Sequence, residues 1–372
     1  MSTSDIDLML AEKGNPCVSI VISTHQYTKD RMQNPELIQK AILKARKQLA
    51  NSAWPKEKVR QLENRFNLIL ERIDFIRLQE GLAIFISPNI LKVYLLPFPV
   101  KEKVIVGHSF EIRDLVYYAQ FLRPYYLLAV SKKKTRLFKG TGRDLQELTN
   151  DDFPRDYVEE YEYARPSLGS PSSPSLKAFE KDKSVVQETR LKSFLKSADQ
   201  TLDKYLKGDA LLFVAGVAEE TASFEKVTQH LEKLAGKIDG NYDFDAIHPL
   251  AETAWKKMKD VVRASNEELL VRLQDEIGRK LAAVGIRHAW TAANEGKGLI
   301  LLLEKDYDVM AYHYPDDRSE IFLSSPGGKT EVIVDAADDL IEIVREKGGA
   351  VVIVENGELD KFQHVALLLR YE

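Results

Sequence analysis

Six cations fall within twelve residues at Lys132, Lys133, Lys134, Arg136, Lys139 and Arg143. A run this dense suits contact with nucleic-acid phosphates, where neutralising the polyanion releases counterions and binding weakens with salt. It equally suits a solvated hairpin tip, where lysines guard a sheet edge. Arg165 and Lys177 flank a serine- and proline-rich segment and suit the same grip on RNA. Gly327-Gly328-Lys329-Thr330 has the close of a phosphate-binding loop. The full pattern needs a glycine five residues before Gly328, where Leu323 stands, so these residues read as a turn. His25 ends a predicted strand but has no Ser or Asp partner at a readable spacing. Cys17 precedes an apolar strand and reads as core. His288, His313 and His364 are scattered without His-x-x-His or carboxylate spacing, so neither a metal nor a cofactor is expected. From Asp144 to Glu162, eight acidic residues oppose one arginine, among them Asp151, Asp152, Asp156, Glu159, Glu160 and Glu162. Two-metal chemistry needs carboxylates converging from separate strands, so one contiguous acidic stretch reads as a solvated face.

Composition narrows the classes that could position these residues. The chain has 372 residues, 44% hydrophobic and 30% charged, enough to bury several cores and too apolar for general disorder. The net charge of −4 argues against a histone-like nucleic-acid binder, so an RNA-facing surface must be a local patch. Apolar stretches such as Gly298–Leu303 are far shorter than the ~20 residues of a membrane helix. The N-terminus lacks a secretion-signal pattern, and the single cysteine cannot form an intrachain disulfide. A cytoplasmic protein with no membrane and no DNA partner is expected.

Periodicity divides the chain into three α/β segments in series, 1–122, 123–264 and 265–372. The first holds the strand Val18–Ile22, two amphipathic helices and a strand pair joined through Ser87-Pro88-Asn89. The second opens on a hairpin, Tyr125–Val130 with Thr135–Gly140 around Lys132-Lys133-Lys134. The proline- and serine-rich stretch 166–175 follows and reads as an exposed loop. Helices are expected near Val186–Leu206, Ser223–Ala235 and His248–Val262, with a buried strand at Ala210–Ala215. Ser265-Asn266-Glu267-Glu268 has capping-box spacing and marks the third segment's start. That segment is expected to carry a helix to about Leu281, strands at Leu299–Leu303, Val309–Tyr312 and Glu320–Leu323, a helix at Ala336–Glu346, and two closing strands.

Several of these stretches resemble the archaeo-eukaryotic translation release factor and Pelota superfamily in its bacterial branch. They are Gly208–Gly216, Gly240-Asn241-Tyr242-Asp243, His248-Pro249-Leu250 with Ala254-Trp255, Val344–Val351 and Val365–Tyr371. The N-terminal stretches Pro16–Ile20 and Gly81–Phe85 are similar to the separate N-domain of those bacterial proteins. The resemblance implies a ribonuclease-H-like middle domain and a C-terminal domain with the fold of kink-turn-binding ribosomal proteins. It implies action at the ribosomal A site, with rRNA or tRNA contacts and a possible translational GTPase partner.

Peptide-releasing members carry Gly-Gly-Gln on a loop of the middle domain. Here that position falls on 165–175, including Ser167, Leu168, Gly169 and Ser170, with no Gly-Gly pair and no glutamine. No catalytic residue is therefore expected, because no group is available to place a water against the peptidyl-tRNA ester. The chain is expected to be a non-catalytic factor acting on stalled or idle ribosomes. A hydrolase with a diverged loop and a protein-interaction scaffold that never touches RNA remain the alternatives.

Overall fold

The computed structural model describes residues 3–26, 29–157, 176–242 and 247–371. Among the described residues the protein is mixed α/β with four sheets. It separates into two compact units, one formed by Met1–Gln120 with Arg263–Glu372 and the other by Phe121–Val262. The first and third segments of the sequence thus share a unit.

The chain enters through helix α1 (Thr3–Leu10) and strand β1 (Cys17–Ser23). Helices α2 (Asn34–Ala50) and α3 (Lys56–Arg72) follow, then strands β2 (Gly81–Ile86), β3 (Leu91–Leu96) and β4 (Lys103–Gly107), and helix α4 (Arg113–Ala119). The strands form an antiparallel sheet ordered β3-β2-β1-β4, with Val21 opposite Ala83. Ile38, Ala41, Ile42, Ala45 and Leu49 of α2 share a core with Leu62, Phe66 and Ile69 of α3 and with Ile20 and Ile84. Burying each larger side chain contributes roughly 1.5–3 kcal/mol, which fixes which helix faces look inward and which outward.

The second unit holds β5 (Tyr125–Val130), β6 (Lys134–Thr141), β7 (Asp144–Leu148), β8 (Arg155–Asp156), α5 (Leu176–Leu202), β9 (Leu211–Gly216), α6 (Ala218–Glu225) and β10 (Leu234–Asp239). Its sheet runs β10-β9-β5-β6-β7, with β8 on β6. Strands β5 to β7 are antiparallel neighbours, whereas β9 lies parallel to β5 and β10 parallel to β9. Leu195, Ala198 and Leu202 of α5 pack on Leu128, Leu137, Leu212 and Val214.

Helix α7 (Ile247–Gly278) runs through the boundary between the units. Beyond it lie β11 (Ala282–Val284), α8 (Ile286–Asn294), β12 (Gly298–Glu304), β13 (Ala311–Tyr314), β14 (Asp317–Phe322), β15 (Glu331–Ile333), α9 (Ala336–Glu346), β16 (Ala350–Val354) and β17 (Val365–Leu369). They form a four-stranded sheet, β11-β17-β12-β16, and a small antiparallel sheet, β14-β13-β15.

Within the first unit, α9 caps the start of α4, and Arg113 of α4 pairs with the N-cap of α9. Asp335 is the N-cap of α9 and also receives Arg113 Nη2 at 2.6 Å. Asp338 accepts the amides of Ile112 and Arg113, both at 3.1 Å, where α4 begins. Arg113 is only 1% exposed. Burial pushes the Asp338 carboxyl up to about 6, against the pull of Arg113.

Three local expectations fail, each for a physical reason. The helix expected over Ser223–Ala235 ends at Glu225, and its last residues become β10. The buried Asp199 carboxylate accepts Thr228 Oγ1 at 2.5 Å and Gln229 N at 2.9 Å, binding a turn there. No helix begins at Ser265, because α7 runs on through it. Between Pro249 and Gly278 there is neither glycine nor proline, so the amides a capping box would satisfy are already used within the helix. The helix expected to reach Leu281 stops at Gly278, and the helix α8 that follows at Ile286 was not read from the sequence.

Candidate nucleic-acid interface

The basic hairpin forms as its sequence pattern dictates. Apolar β5 pairs with β6, with Tyr125 opposite Gly140 and Val130 opposite Thr135. Ser131 Oγ accepts the amides of Lys133 and Lys134, each at 3.1 Å, and fixes the tip. At the other end Tyr125 is fully buried and its ring lies across Gly140, where an added Cβ would come 2.1 Å from the ring. Gly142, with φ +58°, then makes the turn into β7.

The fold divides the six cations between the two ends of β6. Lys132, Lys133 and Lys134 sit at the tip, whereas Lys139 lies five residues further along, ~16 Å at strand rise. Arg143 lies in the β6–β7 turn. Three of the six also pair with the protein's own carboxylates. Lys132 donates its amide to Glu220 and its ammonium to Glu219, both at 2.9 Å. Arg136 forks onto Glu147 at 2.6 and 2.7 Å, donates to the Tyr242 carbonyl and lies over the Phe138 ring. Its hydrogen bond holds the Glu147 carboxyl below the usual carboxylate range. Arg143 Nε meets Glu252 at 2.8 Å and is only 10% exposed. Lys132, Lys133 and Lys139 are exposed.

Lys177 falls in the first turn of α5. Arg165, Ser167, Leu168, Gly169 and Ser170 lie outside the described residues, as do Glu159, Glu160 and Glu162. The start of the acidic stretch is ordered as β7, and Asp152 pairs with Lys204 at 2.7 Å and accepts from Tyr205 at 2.9 Å. Those two hydrogen bonds hold the Asp152 carboxyl low.

The remaining singled-out residues are held structurally. Asn34 brackets the main chain of His25, accepting its amide and donating to its carbonyl. Cys17 is buried, and burial pushes its thiol up to about 12, which removes thiolate reactivity at neutral pH. The glycines of Gly327-Gly328 both have positive φ in the exposed connection from β14 to β15, a turn. His313 Nδ1 bonds the Tyr314 carbonyl at 2.7 Å, and exposed His288 bonds the Val284 carbonyl at 3.0 Å.

Among the described residues, Glu304, Asp360 and His364 bring ligand-type atoms within 4.8 Å of one another. Glu304 Oε1 already accepts the amides of Gly357 and Leu359, and Oε2 meets His364 Nδ1 at 2.8 Å. That carboxylate fastens a turn rather than presenting an open coordination site. Sequence reasoning missed the Asp199–His230–Asp203 cluster. His230 Nδ1 lies 2.9 Å from Asp199 and Nε2 3.0 Å from Asp203, on residues about thirty apart with no motif to link them. Burial opposes charging of the imidazole, but the hydrogen bonds to Asp199 and Asp203 prevail and raise its pKa. Also unread was the exposed basic side of α2 and α3, with Lys44, Lys47, Lys56 and Arg60.

No helix among the described residues is long and apolar enough to cross a membrane. No curated protein matches the sequence significantly. Among solved structures, the archaeal translation termination factor aRF1 is 14% identical over 100% of this chain and 99% of its own, with a TM-score of 0.26. Pelota from Archaeoglobus fulgidus is 16% identical over 78% of this chain and 79% of its own, with a TM-score of 0.36. Dom34 from S. cerevisiae is 11% identical over 81% and 76%, with a TM-score of 0.37. Residues 124–297 match the family described as bacterial archaeo-eukaryotic release factor family 3, which supports the resemblance of that stretch to the bacterial branch of the release factor and Pelota superfamily.

Proposed function

We propose that the protein is a cytoplasmic, ribosome-associated factor that occupies the A-site region of stalled or idle ribosomes without cleaving peptidyl-tRNA. The observation that carries this reading is a release-factor family match over 124–297 in a chain whose 165–175 stretch has no Gly-Gly-Gln. Without a group to orient water at the ester, binding remains and release chemistry does not. The chain acts as three functional segments, 1–122, 123–264 and 265–372. The middle one is ribonuclease-H-like, a reading supported by its sheet order of three antiparallel strands followed by two parallel ones. The last has the fold of kink-turn-binding ribosomal proteins.

The partners in this reading are rRNA or tRNA and a translational GTPase; yeast Dom34 interacts with Hbs1, and an archaeal Pelota has been placed on the ribosome with ABCE1. Neither membrane nor DNA is a partner. On the middle segment, exposed Lys132, Lys133 and Lys139 meet RNA phosphates, a role this reading also gives to Lys134, Arg165 and Lys177, while Arg136 and Arg143 brace the hairpin. In this reading the segment containing Ser167, Leu168, Gly169 and Ser170 meets RNA without cleaving the ester.

Sucrose-gradient co-sedimentation at low salt, coupled to a peptidyl-tRNA hydrolysis assay, tests this. The chain is expected to travel with ribosomes and leave peptidyl-tRNA intact. Turnover abolished by substitutions within Ser167–Ser173 would make it a hydrolase, and absence from ribosomal fractions would make it a scaffold.

A further inference from the structure

We infer that the outer side of the α2–α3 helix pair is an RNA-binding surface that contacts the phosphate backbone. Between Gln39 and Leu62 the sequence carries seven cations against one acid, Glu57, in a chain whose net charge is −4. The core residues Ile38, Ala41, Ile42, Ala45 and Leu49 define the inward face of α2. Lys40, Lys44 and Lys47, spaced i, i+4 and i+7, form a stripe on its opposite, exposed side. On α3, Lys56 and Arg60 are exposed and one turn apart.

Three of the seven cations are engaged by the protein. Lys40 pairs with Glu36, Arg46 with Glu63 and Asn67, and Lys58 donates to the Gly14 carbonyl. The other four, Lys44, Lys47, Lys56 and Arg60, have no ion-pair partner among the described residues.

Their placement opposes helix stability. Lys40 with Lys44, Lys44 with Lys47, and Lys56 with Arg60 are like-charge neighbours on a helix surface, which repel. Lys56 and Lys58 occupy the first turn of α3, where the helix dipole disfavours cations, behind Pro55, which supplies no capping side chain. A polyanion across the surface would relieve both penalties at once. Charges on a rigid helix stripe match a backbone of regularly spaced phosphates. Exposed Asn64 and Asn67 and the exposed amide of Gln61 add neutral donors beside them. The choice of RNA as the polyanion rests on the ribosome-binding reading.

The test is fluorescence anisotropy of a labelled 20-base-pair RNA duplex against the full chain over a range of potassium chloride. K44Q/K47Q/K56Q/R60Q is compared with wild type; glutamine keeps the helix propensity near that of lysine and arginine. The expected result is roughly tenfold or more weaker binding at 100 mM salt and a log K against log salt slope shallower by about 3, at 0.7–0.9 per lost contact. The half variants K44Q/K47Q and K56Q/R60Q each take about half of that change, which separates a binding effect from misfolding of the full variant. An unchanged slope, no binding of wild type to RNA, or capture of anionic vesicles in place of RNA overturns the inference. A chain that sediments with ribosomes while the variant's RNA slope is unchanged defeats this surface alone. One that ignores ribosomes while RNA binding is lost in the variant defeats the ribosome reading alone.

Discussion

The β5–β6 hairpin is the denser basic stretch, six cations within twelve residues against seven between Gln39 and Leu62 of the α2–α3 pair, yet the fold pairs three of the hairpin cations with carboxylates and leaves four on the helices unpaired among the described residues. In the hairpin, Lys132, Arg136 and Arg143 meet Glu219, Glu147 and Glu252, carboxylates brought in from α6, β7 and α7. On the helices, Lys44, Lys47, Lys56 and Arg60 meet none among the described residues. A basic run is therefore a surface charge only after its long-range partners are known. Hairpin arginines brace strands, whereas Lys44, Lys47, Lys56 and Arg60 leave their charge to be screened by solvent and salt alone.

The contrast is sharpest against the most enclosed cation. Arg113→Ala leaves Asp338 without its cation and Asp335 with only Lys103, at 3.7 Å, in the core of the first unit, and about 3 kcal/mol of stability should be lost in urea unfolding. A change under 1 kcal/mol would mean that α4 and α9 do not depend on these contacts. Next is Arg136→Ala, which removes a forked, largely buried pair and should cost about 1.5–3 kcal/mol. Arg136→Lys should recover little, because an ammonium cannot fork onto both Glu147 oxygens. Full recovery by lysine would reduce the contact to a point charge.

His230 supplies a pH-dependent case. Its pKa is raised in the folded state by Asp199 and Asp203 over the opposing effect of burial. The native state therefore holds this proton more tightly than the unfolded one. The stability it contributes is complete below the ordinary histidine value of about 6.5 and is lost as pH rises through the raised value. Thermal melts from pH 6 to 9 should show the second unit weakening, with the trend reduced in His230→Gln. A trend unchanged in the variant would assign the titration elsewhere. The smallest effect belongs to the open helix face. K44Q/K47Q should move stability by no more than about 0.5 kcal/mol in either direction, measured by the same melts. A larger loss would mean that these lysines have partners after all.

Local signals account for what the sequence made legible. Alternating or continuous apolar runs placed β1, β2, β3, β5, β6 and β9, and the 3.6-residue period placed α2 and α3. The α6–β10 region was misread because what binds its turn, Asp199, lies about thirty residues upstream on another helix. The break expected at Ser265 rests on a four-residue motif, whereas the unbroken stretch between Pro249 and Gly278, without a glycine or proline, carries the helix through it. In the candidate interface, which cations are dense was readable, whereas which are neutralised was not. Glu219, Glu147 and Glu252 approach only through tertiary packing.

Ribosome pelleting at 50 and 200 mM salt, with wild type, K44Q/K47Q/K56Q/R60Q and K132Q/K133Q/K134Q side by side, tests most directly whether the unpaired cations set affinity for RNA. Wild type should bind at low salt and release at high salt, with the helix variant losing most of that binding and the hairpin variant a smaller part. Full binding by the helix variant, with loss confined to the hairpin variant, would contradict it.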